Sequence, residues 1–368
     1  MDFGYFTLTD NPPRYEAQRR DPNRFLQEVE EEAIAAEELG FHSAWVPEHH
    51  FGLFGCLPAP ATFLAHLAAR TSRIKLAAAT VVLPCNHPIR VAEEWALLDL
   101  LSNGRTLFCA GRGYDRREYD TFEVPFEESR GRFDEEMAIV RAAWTQTDLT
   151  WAGQYHRWDL PITVLPRPVQ QPHPPIYVAC FSEPTMRMAA TGEFNIIFAP
   201  FAASVVFGSL QAAAARFFGF AREAGFPHLR AKCSYFLALA DTPAEQLRAK
   251  ERLKFYQRGV RGASPTQASA APASYAYFEE IAKRNAASTA ETLGEETIIT
   301  GSPAQVIEQL KRVEAAGIDE VICYFNYGAL PHTDTLRQME RFAAEVMPAF
   351  APAPQAVVES GRSPAESR

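Results

Sequence analysis

The sequence predicts an α/β protein built as a TIM (β/α)8 barrel with insertions after the fourth and seventh strands. Three observations predict it. Short apolar runs alternate with helical stretches eight times along the 368 residues. Four of these units fall before residue 145, and such alternation demands a parallel sheet with crossover helices. An open doubly wound sheet usually stops at about five or six strands, so eight units favour closure.

The elements follow in order. Phe3–Leu8 reads as strand one, and Phe25–Leu39, closed by Gly40, as its helix. Ser43–Val46 is strand two, followed by the helix Ala59–Arg70. Ile74–Leu83 is strand three, and its helix Ile89–Leu101 ends in Ser102-Asn103-Gly104. Thr106–Ala110 is strand four. A long helix over Glu128–Trp144 is opened by acidic residues, as the helix dipole favours. The aromatic and Pro-rich stretch Thr150–Pro175 holds a small hairpin at Trp151–Trp158. Strand five is Ile176–Ala179, with a short helix from Pro184. Strand six is Ile196–Phe198, with an Ala-rich helix from about Ser204 to Glu223. Strand seven is Cys233–Ala240, with a helix from Pro243. The second insertion, Gly259–Glu296, reads as a lid loop with a short helix near Tyr275–Asn285. A helix near Pro303–Ala316 leads to strand eight, Glu320–Tyr324. A last helix spans about Asp334–Phe350, and Ala351–Arg368 lacks periodicity and is expected to be a disordered tail. Residues 1–350 are thus expected to form one domain, since a barrel of this kind uses about 250 residues before insertions.

Composition narrows the function. Hydrophobic residues make up 47% and charged residues 22%, which suits a globular chain. A net charge of −9 offers nucleic acid no general foothold. The N-terminus MDFGYFTLTDNPP lacks the basic and apolar regions of a signal peptide. No stretch approaches the roughly 20 apolar residues of a membrane span. The six cysteines are scattered without a CxxC pair, so neither a zinc site nor a disulfide framework is expected. A reducing cytoplasm is the simplest expected compartment.

In a TIM barrel the chemistry sits where strands end at the carboxyl face. Strand two ends in Pro47-Glu48-His49-His50. Neighbouring side chains on an extended backbone point to opposite faces, so the two histidines do not read as ligands of one metal. One His is expected to be packed and held by Glu48, and the other to stand at the strand mouth as a base or donor. Strand four runs into Gly111-Arg112-Gly113. The dinucleotide motif GxGxxG fails here, because its sixth position is Arg116. Two readings remain: an anion nest with a fixed charge, or a sharp turn with a surface arginine. Strand five runs into Ser182-Glu183-Pro184-Thr185. This is a helix start, read either as capping by Ser182 or as a phosphate site at the helix N-terminus. Glu183 should then point away.

These residues lie in longer motifs that resemble the luciferase-like flavin monooxygenases, particularly the bacterial luciferase α-subunit type. The likeness is carried by FGYFTLTDNPP, GFHSAWVPEHHFGLFG, VVLPCNHPIRVAEEWALLDLLSNGR, GRGYDRREYDTF and ITGSPAQVIEQLKRVEAAGIDEVICYF. It extends over 1–350 apart from the loop at 259–296. The resemblance implies reduced FMN (FMNH2), supplied by a separate NAD(P)H:flavin reductase. It puts the phosphate on Arg112, Ser182 and Thr185. Ala79 and Thr80 fall on the pair whose non-prolyl cis peptide supports the flavin ring. His49 falls on the catalytic histidine, with His50 as its partner.

The implied activity is a two-component FMNH2-dependent monooxygenase. It would form a C4a-(hydro)peroxyflavin and insert one oxygen of O2 into a small organic substrate, by hydroxylation or by aldehyde or ketone oxidation. The alternatives are an F420-dependent hydride-transfer oxidoreductase of the same superfamily and a noncatalytic flavin-binding or partner subunit. The chain departs from luciferase in three places. Gly111 replaces a reactive cysteine, Phe181 an acidic residue, and Pro200-Phe201 a tryptophan-containing segment. The helices Ala59–Arg70 and Ile89–Leu101 align with those that pack across the luciferase dimer, so a homodimer is expected. Substrate choice is expected to reside in the hairpin and the lid.

Overall fold

The computed structural model describes residues 1–11, 21–52, 55–260 and 275–351. Most of the expected tail and the 261–274 part of the lid lie outside these residues. Twelve strands are described: β1 (Asp2–Phe6), β2 (Ser43–Val46), β3 (Lys75–Ala78), β4 (Val81–Val82), β5 (Thr106–Gly111), β6 (Leu149–Ala152), β7 (Arg157–Ile162), β8 (Ile176–Cys180), β9 (Asn195–Phe198), β10 (Ala231–Leu239), β11 (Ile298–Gly301) and β12 (Ile318–Tyr324). The wall runs β1-β2-β3-β5-β8-β9-β10-β12, every pairing is parallel, and β12 pairs with β1 to close the eight-stranded barrel. β6 and β7 form the expected antiparallel hairpin outside the wall.

Alternation along each strand builds two layers of core. Trp45, Ala77, Leu107, Cys109, Tyr177, Ile197 and Ile322 pack together inside the barrel. Their strand neighbours, among them Ala44, Leu76, Phe108, Val178, Ile196 and Val321, pack outward against the helices. Both faces are buried, which is why these strands read as continuous apolar runs. The helix Pro22–Glu38 is capped by Asp21, whose carboxylate accepts from the Asn23 and Arg24 amides. Pro60 and Pro88 each open a helix at a position where the missing N–H costs nothing.

Four local expectations are corrected. Strand three is broken: β3 ends at Ala78, the Ala79–Thr80 peptide is cis, and β4 is followed by a 3-10 turn at Leu83–Cys85. The helix read over 128–144 is Ser129–Thr145, and its first turn carries no acidic residue. Glu127 and Glu128 belong to the preceding 3-10 turn. The Ala-rich helix is two helices, Pro200–Phe207 and Leu210–Glu223, separated at Gly208 with φ 87°. β11 was not foreseen. It pairs with the second half of β10, beyond the point where β9 has ended. No single described helix is long and apolar enough to cross a membrane.

A buried ion cluster plugs the amino end of the barrel. Glu320 on β12 accepts from Lys232 on β10, from Ser43 on β2 and from His42 Nδ1 at 3.2 Å. Gly4 on β1 makes room, since a Cβ there would run into the Ser43 hydroxyl and lie 2.9 Å from Glu320 Oε1. Burial alone would raise the Glu320 carboxyl, but Lys232 overrides it and holds the group at about 2. The unfolded value is about 4.3. The stability this group contributes is therefore complete above about pH 5 and lost as pH falls towards 2. Lys232→Met leaves the buried carboxylate with Ser43 and His42 but without its lysine. It should cost roughly 3–5 kcal/mol in urea unfolding and move acid unfolding to higher pH. An unchanged urea midpoint would show that the plug is dispensable.

Candidate active site

The carboxyl ends of the strands surround a cavity of about 500 Å³. It runs from Arg112 and Thr185, past Ala79, Thr80 and His49, to Phe278 and Asn285. The Glu48-His49-His50 segment at the end of β2 divides as alternation requires. Glu48 is 4% exposed and ties the segment down. Its carboxylate accepts from the Val82 amide at 2.9 Å and Asn86 Nδ2 at 2.8 Å, and it lies 3.3 Å from His50 Nε2. His50 is thus tethered, and its ring packs edge-on against Phe122 at 4.9 Å. His49 faces the cavity. Its Nδ1 lies 3.5 Å from Glu118 Oε1, and its ring meets Tyr114 edge-on. Gly55, at φ 89°, closes over it, where a Cβ would come within 2.5 Å of the His49 Cβ.

Glu118 escaped the sequence reading. It sits on the short helix Arg116–Thr121, whose N-cap is Asp115. A carboxylate in a first helical turn normally reads as a surface partner of the helix dipole. Here it is buried, one oxygen meets His49 and the His50 amide, and Oε2 has no hydrogen-bond partner. A buried carboxylate oxygen left open beside a histidine suits proton handling at the His49 ring.

The opposite end is cationic and hydroxylic. Arg112 is buried; its guanidinium donates to the Tyr277 hydroxyl at 3.3 Å and lies 4.3 Å over the Tyr275 ring. Ser182 starts the helix Glu183–Thr191, yet its hydroxyl caps nothing and lies 3.0 Å from the Thr185 hydroxyl. Thr185 also accepts from Arg130 Nη2 at 2.9 Å. Glu183 points away, bound to Arg187 and Arg216 at 2.8 Å each. Arg130 is the second residue that the sequence reading missed. It stands in the first turn of Ser129–Thr145, where the helix dipole disfavours a cation. That anomaly was the available signal. Burial raises the Asp134 carboxyl, and both Arg130 and Arg112 oppose the rise. Burial likewise pushes the Tyr277 hydroxyl up to about 12, again against Arg112 and Arg130. The two guanidiniums therefore act on one locality.

Gly111 lies against the cis Ala79–Thr80 segment, where a Cβ would come within 2.5 Å of Thr80 Oγ1. The lid helix Ala276–Ala287 and Tyr275 before it cover the Arg112 loop. Tyr275 donates to the Gly113 carbonyl at 2.9 Å and stacks on Phe126. Phe181 stacks on Tyr277, and Phe278 packs on Tyr114. Pro200 and Phe201 line the cavity. None of its described lining residues comes from the hairpin, contrary to expectation. The hairpin instead docks on Ser129–Thr145, where Glu135 accepts from Trp151 and from the Gln154, Tyr155 and His156 amides. Among the described residues no cluster of His, Cys, Asp or Glu suits a metal ion.

Residues 1–320 match the luciferase-like monooxygenase family. The chain belongs to that family. It is 30% identical over 329 residues to the oxygenase component of a flavin-dependent trigonelline monooxygenase from Acinetobacter baylyi, covering 86% of this chain and 87% of that protein. Two other relatives match over about half of their own length. They are the uncharacterised protein y4vJ of Sinorhizobium fredii (36% identical; 45% of this chain, 47% of the relative) and an alkanal monooxygenase α chain of Photorhabdus luminescens (32%; 52% and 51%). Among luciferase-like solved structures, the monooxygenase RslO1 from Streptomyces bottropensis superposes with a TM-score of 0.79 at 28% identity, covering 95% of this chain and all of that one. An F420-dependent secondary alcohol dehydrogenase shares the fold, with a TM-score of 0.73 at 18% identity over 95% of this chain and 99% of that one.

Glu48→Ala should strand the Val82 amide, Asn86 and His50 together. A loss of about 2–4 kcal/mol in urea unfolding is expected. A loss below about 0.5 kcal/mol, the range of ordinary surface substitutions, would show that this carboxylate is not the anchor.

Proposed function

We propose that this luciferase-like chain is an FMNH2-dependent monooxygenase acting on a small organic substrate, with electrons supplied by a separate NAD(P)H:flavin reductase. The observation that carries the reading is the polarity of one cavity. Arg112 and Thr185 line one end, with Arg130 and Ser182 against the Thr185 hydroxyl, and His49, held by Glu118, lines the same cavity, whose remaining surface is largely apolar. Two guanidiniums and two hydroxyls are a fitting donor set for a phosphate monoester. Ala79, Thr80 and Gly111 line the cavity between these groups, and the absence of a side chain at Gly111 lets Thr80 pack directly against it, a smooth wall that suits a flat ring. The trigonelline enzyme's description as an oxygenase component supports a partner reductase.

When bound, reduced FMN supplies the two electrons that send one atom of O2 into the substrate and the other into water. The protein's tasks are binding, exclusion of water and proton movement. Arg112, Arg130, Ser182 and Thr185 hold the phosphate. Tyr275, Tyr277 and Phe278 cover the site and keep water out. His49 exchanges a proton at Nε2 with the reacting oxygen or the substrate, while Glu118 orients the ring through Nδ1.

Anaerobic titration of the protein with reduced FMN, reduced riboflavin and reduced F420 tests the reading. FMN should bind at least about tenfold more tightly than riboflavin, which lacks the phosphate. Arg112→Ala and Arg130→Ala should each weaken FMN by about tenfold and leave riboflavin unchanged. Preferential binding of F420 would overturn the assignment in favour of hydride transfer. With reductase, NADH and substrate, His49→Ala should yield less product per flavin oxidised while FMN affinity persists; unchanged coupling removes His49 from the mechanism.

We also propose a homodimer. Leu97, Leu100 and Leu101 on the helix Pro88–Leu101 are 45%, 48% and 58% exposed, an apolar strip that a second copy would cover. Sedimentation velocity should give twice the chain mass, and Leu97→Glu combined with Leu101→Glu should give the monomer. A monomeric wild type would contradict the proposal.

A further inference from the structure

The end of the cavity away from the two arginines has a different character. Its wall is aromatic: the Phe236 ring lies 5.1 Å from Tyr256 and 5.2 Å from Tyr324, and Tyr324 meets Phe6 at 5.4 Å. Ile281 and Ala282 add the lid side. Among the described lining residues, Glu48 and Arg112 are the only Asp, Glu, Lys or Arg. Glu48 is committed to Val82, Asn86 and His50, and Arg112 stands at the phosphate end. The buried charges beside the aromatic end, Asp10 on the Tyr324 hydroxyl and the Gly328 amide and Lys254 on the Asn285 carbonyl and Ser288, lie outside the lining and have partners, so burying a charged substrate group there would be costly.

Two lining residues carry a buried polar atom without a hydrogen-bond partner: Gln257 at Oε1 and Thr297 at Oγ1. The Gln257 amide nitrogen donates to Asn285 Oδ1 at 3.2 Å, which fixes the amide and leaves its carbonyl oxygen as an open acceptor. Thr297 is 4% exposed, just before β11. Buried polar atoms are nearly always satisfied in a folded protein, so open ones lining a cavity mark where a ligand group completes the set.

We propose that this end takes an uncharged, flat aromatic molecule bearing one hydrogen-bond donor, such as a phenol, with Gln257 Oε1 as its acceptor and Thr297 as a second polar contact. The aromatic walls select a planar ring by stacking and edge contacts. The open acceptor rejects an analogue without the donor, because that analogue leaves it unpaired. Gln257 and Thr297 are specificity residues in this account. The assignment of this molecule as the oxygenated substrate rests on the monooxygenase reading above; the binding preference does not.

Anaerobic equilibrium dialysis of the full-length protein, with reduced FMN present, against 2-naphthol, 2-methoxynaphthalene and 2-naphthoate tests the preference. The wild type should bind 2-naphthol about tenfold more tightly than either analogue, the order one buried hydrogen bond or one unpaired charge is worth. Gln257→Leu should remove most of that advantage while keeping its affinity for 2-methoxynaphthalene, and Thr297→Val should reduce the advantage in part. Three results would overturn the proposal: 2-naphthoate binding as tightly as 2-naphthol, an unchanged preference in both variants, or no binding of any probe. FMN binding is followed in the same samples. A 2-naphthol preference without FMN binding would overturn the monooxygenase reading alone, whereas FMN binding without the preference would overturn this one alone.

Discussion

The carboxylate of Glu48 is the constraint on which the site depends. It leaves the end of β2 and hydrogen-bonds to the Val82 amide and Asn86, so it fastens the second strand to the broken third. Glu48 and His50 are tied to each other and Glu48 to that neighbouring segment, which holds the chain on both sides of His49; His49 lines the cavity, and Glu118 meets its ring. The same fastening secures the chain just after Ala79–Thr80, the part of the wall that packs against Gly111. A buried carboxylate with several donors is costly to disturb, which makes it a suitable fixed point for a histidine that must itself change protonation.

The barrel separates stability from chemistry along its axis. The Glu320–Lys232–Ser43 plug closes the amino end with paired, desolvated charge. At the carboxyl end, by contrast, Glu118 Oε2, Gln257 Oε1 and Thr297 Oγ1 are buried without hydrogen-bond partners. Within that end the cavity is polarised again, with guanidiniums at one side and aromatic rings at the other. The lid links the two. Tyr275 and Tyr277 lean on Arg112, while Ile281 and Asn285 of the same helix line the far side. Phe181 allows this: an acidic residue there would face the ring of Tyr277, whereas phenylalanine stacks on it.

The barrel was legible because both faces of its strands are buried, which writes each strand as an unmixed apolar run. β11 was not, because Ile298–Gly301 is only four residues long and reads as the lead into the helix Pro303–Ala315. The interruption of strand three was legible only through the resemblance that marked Ala79 and Thr80; Ala78, Val81 and Val82 continue the apolar pattern across it. At the site, His49, Arg112, Ser182 and Thr185 stand just after strands, where barrel chemistry is sought. Glu118 and Arg130 stand on helices that follow. Only the fold brings them back over the strand ends. The hairpin misled for the opposite reason: its aromatics suggested a pocket, but Trp151 and Trp158 pack against each other and the Ser129–Thr145 helix.

The central claim is that this cavity holds reduced FMN and shelters its reaction with oxygen until the oxygen reaches a substrate. The most direct measurement is the time course of hydrogen peroxide release when the protein loaded with reduced FMN meets oxygenated buffer without substrate, compared with free reduced FMN. The protein should delay peroxide release strongly, and Phe278→Ala, which opens the lid to water, should shorten the delay. Peroxide released as fast from the loaded protein as from free flavin would contradict it.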